Sequence, residues 1–203
     1  EDLWRRCRMR YAAIRLIKDE HRSLSAVLRA AEHLVDKAVS TGKAVDFKLL
    51  RAMLYYLREF PEQRHHPNED RMLFARIKAR THEADAAIAE LEGEHRLGDA
   101  MLQGLTIALD NWEAGAADGG KQFAEVLSAY ARFYWAHMEK EETSVLPAAE
   151  RSLSKEDWHQ IHAVFESHRD PMFGENTANE FRDLFSRIMR LAPPSVGEED
   201  LKQ

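Results

Sequence analysis

Cysteine is nearly absent: Cys7 is the single one in 203 residues. That rules out an internal disulfide framework and a thiolate-rich zinc or iron–sulfur site. Glycine and proline number only nine and six, too few for a fold built on many turns. No apolar run approaches the roughly 20 residues needed to cross a bilayer, so no membrane association is expected. No basic block stands out and the net charge is −6, so nucleic acid is not an expected partner. The opening, EDLWRRCRMR, is polar and charged and does not read as a secretory signal. It lacks an initiator methionine, which suggests a trimmed or renumbered N-terminus. These absences lead to the expectation of a cytoplasmic protein.

What is present favours helix. Ala, Leu, Glu, Arg and Lys dominate, and 44% of residues are hydrophobic, enough to bury a real core. Apolar residues recur at helical spacing in a first stretch from about Tyr11 to Val39, with Ile14, Ile17, Leu24 and Leu28 on one stripe and His21 among them. A second stretch opens near Asp46, a candidate N-cap, and runs to about Arg80. Pro61 and Pro67 are expected to kink it or force a restart near Glu62. A third runs from Glu83 to about Gly115, with His95 on the face of Ile88, Leu91, Leu102 and Leu105. A fourth runs from Lys121 to Ala149, its inward face carrying Phe123, Leu127, Tyr130, Tyr134, His137, Glu141 and Val145. Ser154 to Glu166 and Asn179 to Leu191 read as amphipathic helices, the first capped by Ser154 with Asp157 three residues on. The expected fold is all-α: an up-down-up-down four-helix bundle over residues 10–150. A C-terminal extension of one or two helices over 151–192 would pack on its side or form an interface, such as a homodimer. Residues 193–203 are expected to be a disordered tail.

The chain repeats itself. Glu20-His21-Arg22, followed by Leu28, recurs as Glu94-His95-Arg96, followed by Leu102. The run HHPNEDRMLF from His65 resembles HMEKEETSVL from His137, sharing His-x-x-x-Glu-acid. The offsets are nearly equal, 74 and 72 residues. The first two helical stretches therefore look like a faint copy of the third and fourth, which implies a pseudo-twofold bundle with a site on its axis.

His and Glu four residues apart lie one above the other on a helix, with Cβ atoms about 5–6 Å apart. Two stretches supply His65/Glu69 and His137/Glu141, and the other two supply His21 and His95. With helix axes about 8–10 Å apart, all six side chains can converge. An unpaired carboxylate in a core costs several kcal/mol or neutralises itself. Two carboxylates on apolar stripes, each a turn from a histidine, therefore call for cations. Imidazole and carboxylate without thiolate suit iron, manganese or zinc, and the imidazole majority tilts the choice toward iron. His-x-x-x-acid alone is a weak signal, with about two chance matches expected at this composition; His162 and Glu166 also match. The shared downstream pattern and matching offsets set the other two pairs apart.

At these residues the chain resembles the hemerythrin-like family, also called the HHE cation-binding domain. The resemblance rests on IKDEH ending at His21, HHPNED from His65, LEGEH ending at His95 and HMEKEE from His137, in that order. It implies a four-helix bundle around two non-heme iron ions, with His21, His65, Glu69, His95, His137 and Glu141 as ligands. Fully equipped oxygen carriers of the family use five histidines and two carboxylates. Here the position one turn before His95 is Leu91. His66 is the best replacement, since other members place a ligand at that neighbouring position, and with it the count of seven is restored. The departure leaves room for sensing, oxidase, peroxidase-like or nitric-oxide roles besides oxygen carriage.

Asp70 and Glu142, each following a ligand glutamate, read as solvated or as partners of a ligand histidine. Asp99, one turn past His95, is a lesser ligand candidate. Tyr130 and Tyr134 read as core, with room for one hydroxyl near the metals. His33, His82, His159, His162 and His168 read as structural or exposed. The sequence offers no acid or base beyond the ligands. The expected function is thus binding or sensing of O₂ or a related diatomic or peroxide ligand. The alternatives are an enzyme consuming peroxide or nitric oxide, or a protein that handles iron.

Overall fold

The computed structural model describes residues 2–168, 170, 186, 187 and 190, with side chains from residue 9. Among the described residues there is helix and turn but no strand. Helix α1 spans Asp2–Thr41, starting earlier than the periodicity predicts. It ends at Gly42, whose φ of 65° is the left-handed conformation that glycine adopts without strain. Helix α2 covers residues 47–80, α3 is Asp85–Glu113, α4 covers residues 119–152, and α5 is Lys155–Ser167. Asp46 caps α2 as expected, its carboxylate accepting from the Leu49 N–H at 2.9 Å. Ser154 and Asp157 form a reciprocal capping box on α5. Most of the expected helix from Asn179 to Leu191 lies outside the described residues, as does the tail from Pro193.

The prolines neither break α2 nor restart it. Proline has no N–H and crowds the carbonyl four residues back. The helix absorbs this by widening to a π turn over Arg58–His65, in which the His66 N–H reaches the Pro61 carbonyl. A second π turn covers Glu69–Phe74. Helix α4 widens in the same way over Glu141–Val145, just before Pro147, with the Leu146 N–H on the Glu141 carbonyl. Two of these wide turns fall within the two His-x-x-x-Glu runs, and the first ends on His65, where its run begins. Such turns concentrate at functional sites.

Two apolar clusters lie on either side of these residues. One joins Val27 and Leu28 of α1, Met53 and Leu57 of α2, Leu102 and Leu105 of α3, and Phe123 and Leu127 of α4. The other joins Ile17, Leu73, Ile88 and Val145 from the same helices, with Trp158 and Phe165 of α5. Along α1 and α3 the second cluster comes first in sequence; along α2 and α4 it comes last. His21, His65, His66, Glu69, His95 and Glu141 sit in sequence between the two clusters on their respective helices, and His137 sits at the inner end of the first cluster, beside Met138. Burial of these apolar faces is the main stabilising term, at roughly 25 cal/mol per Å², and it holds a polar layer in the middle.

Candidate metal centre

The polar layer is buried. His21, His65, His66, His95 and His137 are each at most 9% exposed, and Glu69 and Glu141 are 0%. Their donor atoms form two groups, each with all atoms within 4.8 Å of one another: His66, Glu69, His95 and His137; and His21, His65, Glu69 and Glu141. Glu69 belongs to both. It can do so because it lies four residues after His65 and three after His66, one turn along the same face. Its Oε1 is 2.8 Å from His65 Nε2 and 3.8 Å from His21 Nε2, while Oε2 is 3.4 Å from His95 Nε2. Glu141 Oε2 lies 3.2 Å from His21 Nε2. Adjacent helix positions are about 100° apart, so His65 and His66 straddle the inward direction and enter different groups.

Four of the five imidazoles are oriented from behind by an acid on another helix. Nδ1 of His65 donates to Glu20 at 2.6 Å, that of His21 to Glu142 at 2.9 Å, that of His95 to Asp70 at 2.8 Å and that of His137 to Glu94 at 2.9 Å. His66 Nδ1 lies 3.4 Å from Glu62 without a formed hydrogen bond. A carboxylate only accepts, so it fixes the proton on Nδ1 and points Nε2 at the centre. Lys140 in turn holds Glu94 at 2.6 Å, and Lys18 holds Glu142 at 3.2 Å.

The titration behaviour follows from this packing. Burial opposes charge on His65 and His95, but Glu69 with Glu20, and Asp70 with Glu69, outweigh it. The two rise to about 10 and about 9. Burial likewise opposes charge on His21, and Glu141, Glu142 and Glu69 overcome it. His66 and His137 go the other way: burial, then the charged His95 and His65, hold His66 far below its usual value, and burial brings His137 down to about 4 against the pull of Glu69. Burial raises Glu69, yet the surrounding imidazoles keep it ionised. Burial and the Glu69 charge push Glu141 up.

Both oxygens of Glu69, both of Glu141, His21 Nε2 and His66 Nδ1 are buried without a hydrogen-bond partner. Each such group costs roughly 1–3 kcal/mol if left unpaired. Four orphaned carboxylate oxygens facing imidazole nitrogens are what a cation-binding cavity presents, so the donor set fits metal. The second group holds two imidazoles and two carboxylates; the first holds three imidazoles and the shared carboxylate.

The seven expected ligand positions thus converge, His66 included: its ring stacks on His95 with centroids 4.4 Å apart. Leu91 points into the second apolar cluster. Asp99 is exposed and belongs to neither group. His33, His82, His159 and His168 are exposed, and His162 with Glu166 takes no part. Asp70 and Glu142 are hydrogen-bonded to His95 and His21. Glu20 and Glu94 are bonded in the same way to His65 and His137 and were not singled out from the sequence, although they are the leading residues of the doubled Glu-His-Arg triplet. Also missed was Glu62, one turn before His66. Its carboxylate accepts from the Tyr134 hydroxyl and, at 3.4 Å, from that of Tyr130. Burial lifts Glu62 to about 7 against those two hydroxyls. Tyr134 stacks parallel on His66, centroids 5.5 Å apart. On the other side Phe165 of α5 packs on His65 at 6.1 Å, so α5 closes the second group.

A family model described as hemerythrin HHE cation binding domain matches residues 12–149. No curated protein and no solved structure matches the chain.

Proposed function

This chain belongs to the hemerythrin HHE cation-binding family, and from that premise we propose that it is a non-heme di-iron protein that binds or senses O₂ or a related small molecule. The observation that carries this is the shared Glu69, one oxygen turned to each of two histidine groups. His66, His95 and His137 would hold one ion, His21, His65 and Glu141 the other, with Glu69 common to both. Iron held there supplies redox chemistry toward O₂, peroxide or nitric oxide. Manganese suits five imidazoles less well, and zinc, which imidazole does suit, has no redox chemistry to offer toward O₂.

The chain's own part is to position donors and exclude water. Glu20, Asp70, Glu94 and Glu142 keep each Nε2 turned inward. Phe74 stacks on His95 at 5.7 Å, and Phe60 lies 6.4 Å from His65, so the rings are walled by apolar surface. The reversed order of the two apolar clusters on successive helices supports an up-down-up-down four-helix bundle over residues 10–150, with α5 beginning the C-terminal extension.

Reduced, iron-loaded protein exposed to O₂ is expected to develop a visible absorption band that disappears on deoxygenation. Irreversible bleaching would count against reversible binding. A second reading, an enzyme consuming peroxide or nitric oxide, is favoured by Glu62, a buried carboxyl near neutrality that can hold a proton at Oε2 beside His66. Turnover that falls in Glu62→Gln while the iron content stays unchanged would select it.

A further inference from the structure

Helix α3 carries a second apolar face that the described residues leave uncovered. Gly93, Leu97, Ala100, Gly104 and Ile107 recur at steps of four and three, which places them on one line along the helix. Leu97 and Ile107 are 56% and 55% exposed, among the most exposed large aliphatic side chains described. No charged residue interrupts this line. Glycine inside a helix weakens it, and α3 has three. Gly98 has a reason within the chain, since a Cβ there would strike Glu62 and the Tyr134 hydroxyl. Gly104 has none: a Cβ there would meet nothing within 4 Å.

We propose that this face binds a second copy of the same chain, α3 against α3 and antiparallel, the two helices closest at Ala100 and Gly104. The pattern is self-complementary. Placing Ala100 opposite the partner's Gly104 also places Leu97 opposite the partner's Ile107, at both ends of the contact. Small residues then sit where two helix axes approach, and large ones where crossing axes diverge and leave space to fill. The flank agrees. Arg96, Gln103 and Asp110, seven residues apart, lie along one edge of the line. In the same register Arg96 falls beside the partner's Asp110, Asp110 beside the partner's Arg96, and Gln103 beside the partner's Gln103. Opposite charges thus meet twice and like charges never do, which a two-fold pair of identical surfaces requires. The contact is independent of what the histidine centre holds.

Sedimentation equilibrium of the full chain tests this. The wild type should associate to a dimer at micromolar to submillimolar concentration. Gly104→Lys fills open space on an exposed helix face, so the fold should survive it, as a circular dichroism melt would record. It should weaken dimerisation at least about 100-fold, since a long charged side chain then occupies the point of closest approach. Arg96→Asp should weaken it about tenfold, and adding Asp110→Arg should recover most of that loss. The second change also breaks the pair of Asp110 with Arg51 at 2.8 Å, an exposed contact of little weight that Glu113 shares. Any one of three results overturns the proposal: a wild-type monomer throughout that range, a dimer indifferent to Gly104→Lys, or a charge reversal not recovered in the double variant.

Discussion

Gly98 and Gly104 lie in the same helix, and the same methyl group added at each should have opposite effects. At Gly98 a Cβ would sit 2.7 and 2.8 Å from the Glu62 oxygens, and against the Tyr134 hydroxyl as well. Those atoms belong to a buried cluster that also packs on His66, so they cannot move freely. Overpacking of this kind costs about 1–3 kcal/mol. Replacing glycine by alanine in a helix returns about 0.5–1 kcal/mol. Gly98→Ala should therefore be net destabilising by about 1 kcal/mol, and Gly104→Ala, with nothing within 4 Å, stabilising by about 0.5–1 kcal/mol. For a domain of this size, about 2–4 °C of Tm corresponds to each kcal/mol. Thermal melts of metal-free protein, dilute enough to be monomeric, should place Gly98→Ala about 2–4 °C below wild type and Gly104→Ala about 1–4 °C above it. If both variants shift upward together, the packing of Tyr134 and Glu62 behind His66 is refuted.

Protons and cations should compete for the centre. His65 and His95 titrate near 10 and 9 in the metal-free chain, above the ordinary imidazole value. The stabilisation from their charged forms is complete below about 6.5 and is lost as pH rises through 9 to 10. Melts of metal-free protein should accordingly decline over that window. Metal affinity should instead rise from pH 7 to 9, by up to about tenfold per pH unit for each proton displaced, as chelator competition with Zn²⁺ would report. Glu20→Gln and Glu94→Gln, which release His65 and His137 from behind, should each lower metal affinity about 10–100-fold while leaving helical content unchanged. Unaltered affinity in both would mean that these acids do not orient the ligands.

Much of this was legible in the sequence, because helical spacing and core polarity leave few choices. The apolar stripes of α1, α3 and α4 place His21, His95, His137 and Glu141 inward, and the structure brings them together. The family match over residues 12–149 agrees with the motifs that carried the resemblance. The course of α2 through its prolines was not legible. Proline predicts a break where the ladder depends on i→i−4 bonds, and nothing local says that a wider turn will absorb it. The acids behind the histidines were half visible. Asp70 and Glu142 stood out by following Glu69 and Glu141, but Glu20 and Glu94 reach across to other helices, to His65 and His137, and contacts of that kind need the packed helices. Glu62 was hidden for the same reason: its partners Tyr130 and Tyr134 lie on α4, 68 and 72 residues away.

Metal content per chain tests the central claim most directly. Wild type loaded with ferrous iron without oxygen, then desalted, should retain two ions per chain. His66→Ala should retain one, since only its own group loses a donor. Glu69→Ala, with its helices intact by circular dichroism, should retain neither tightly, because the carboxylate common to both groups is gone. Two ions bound as firmly in Glu69→Ala as in wild type, or none in the wild type, would contradict the account.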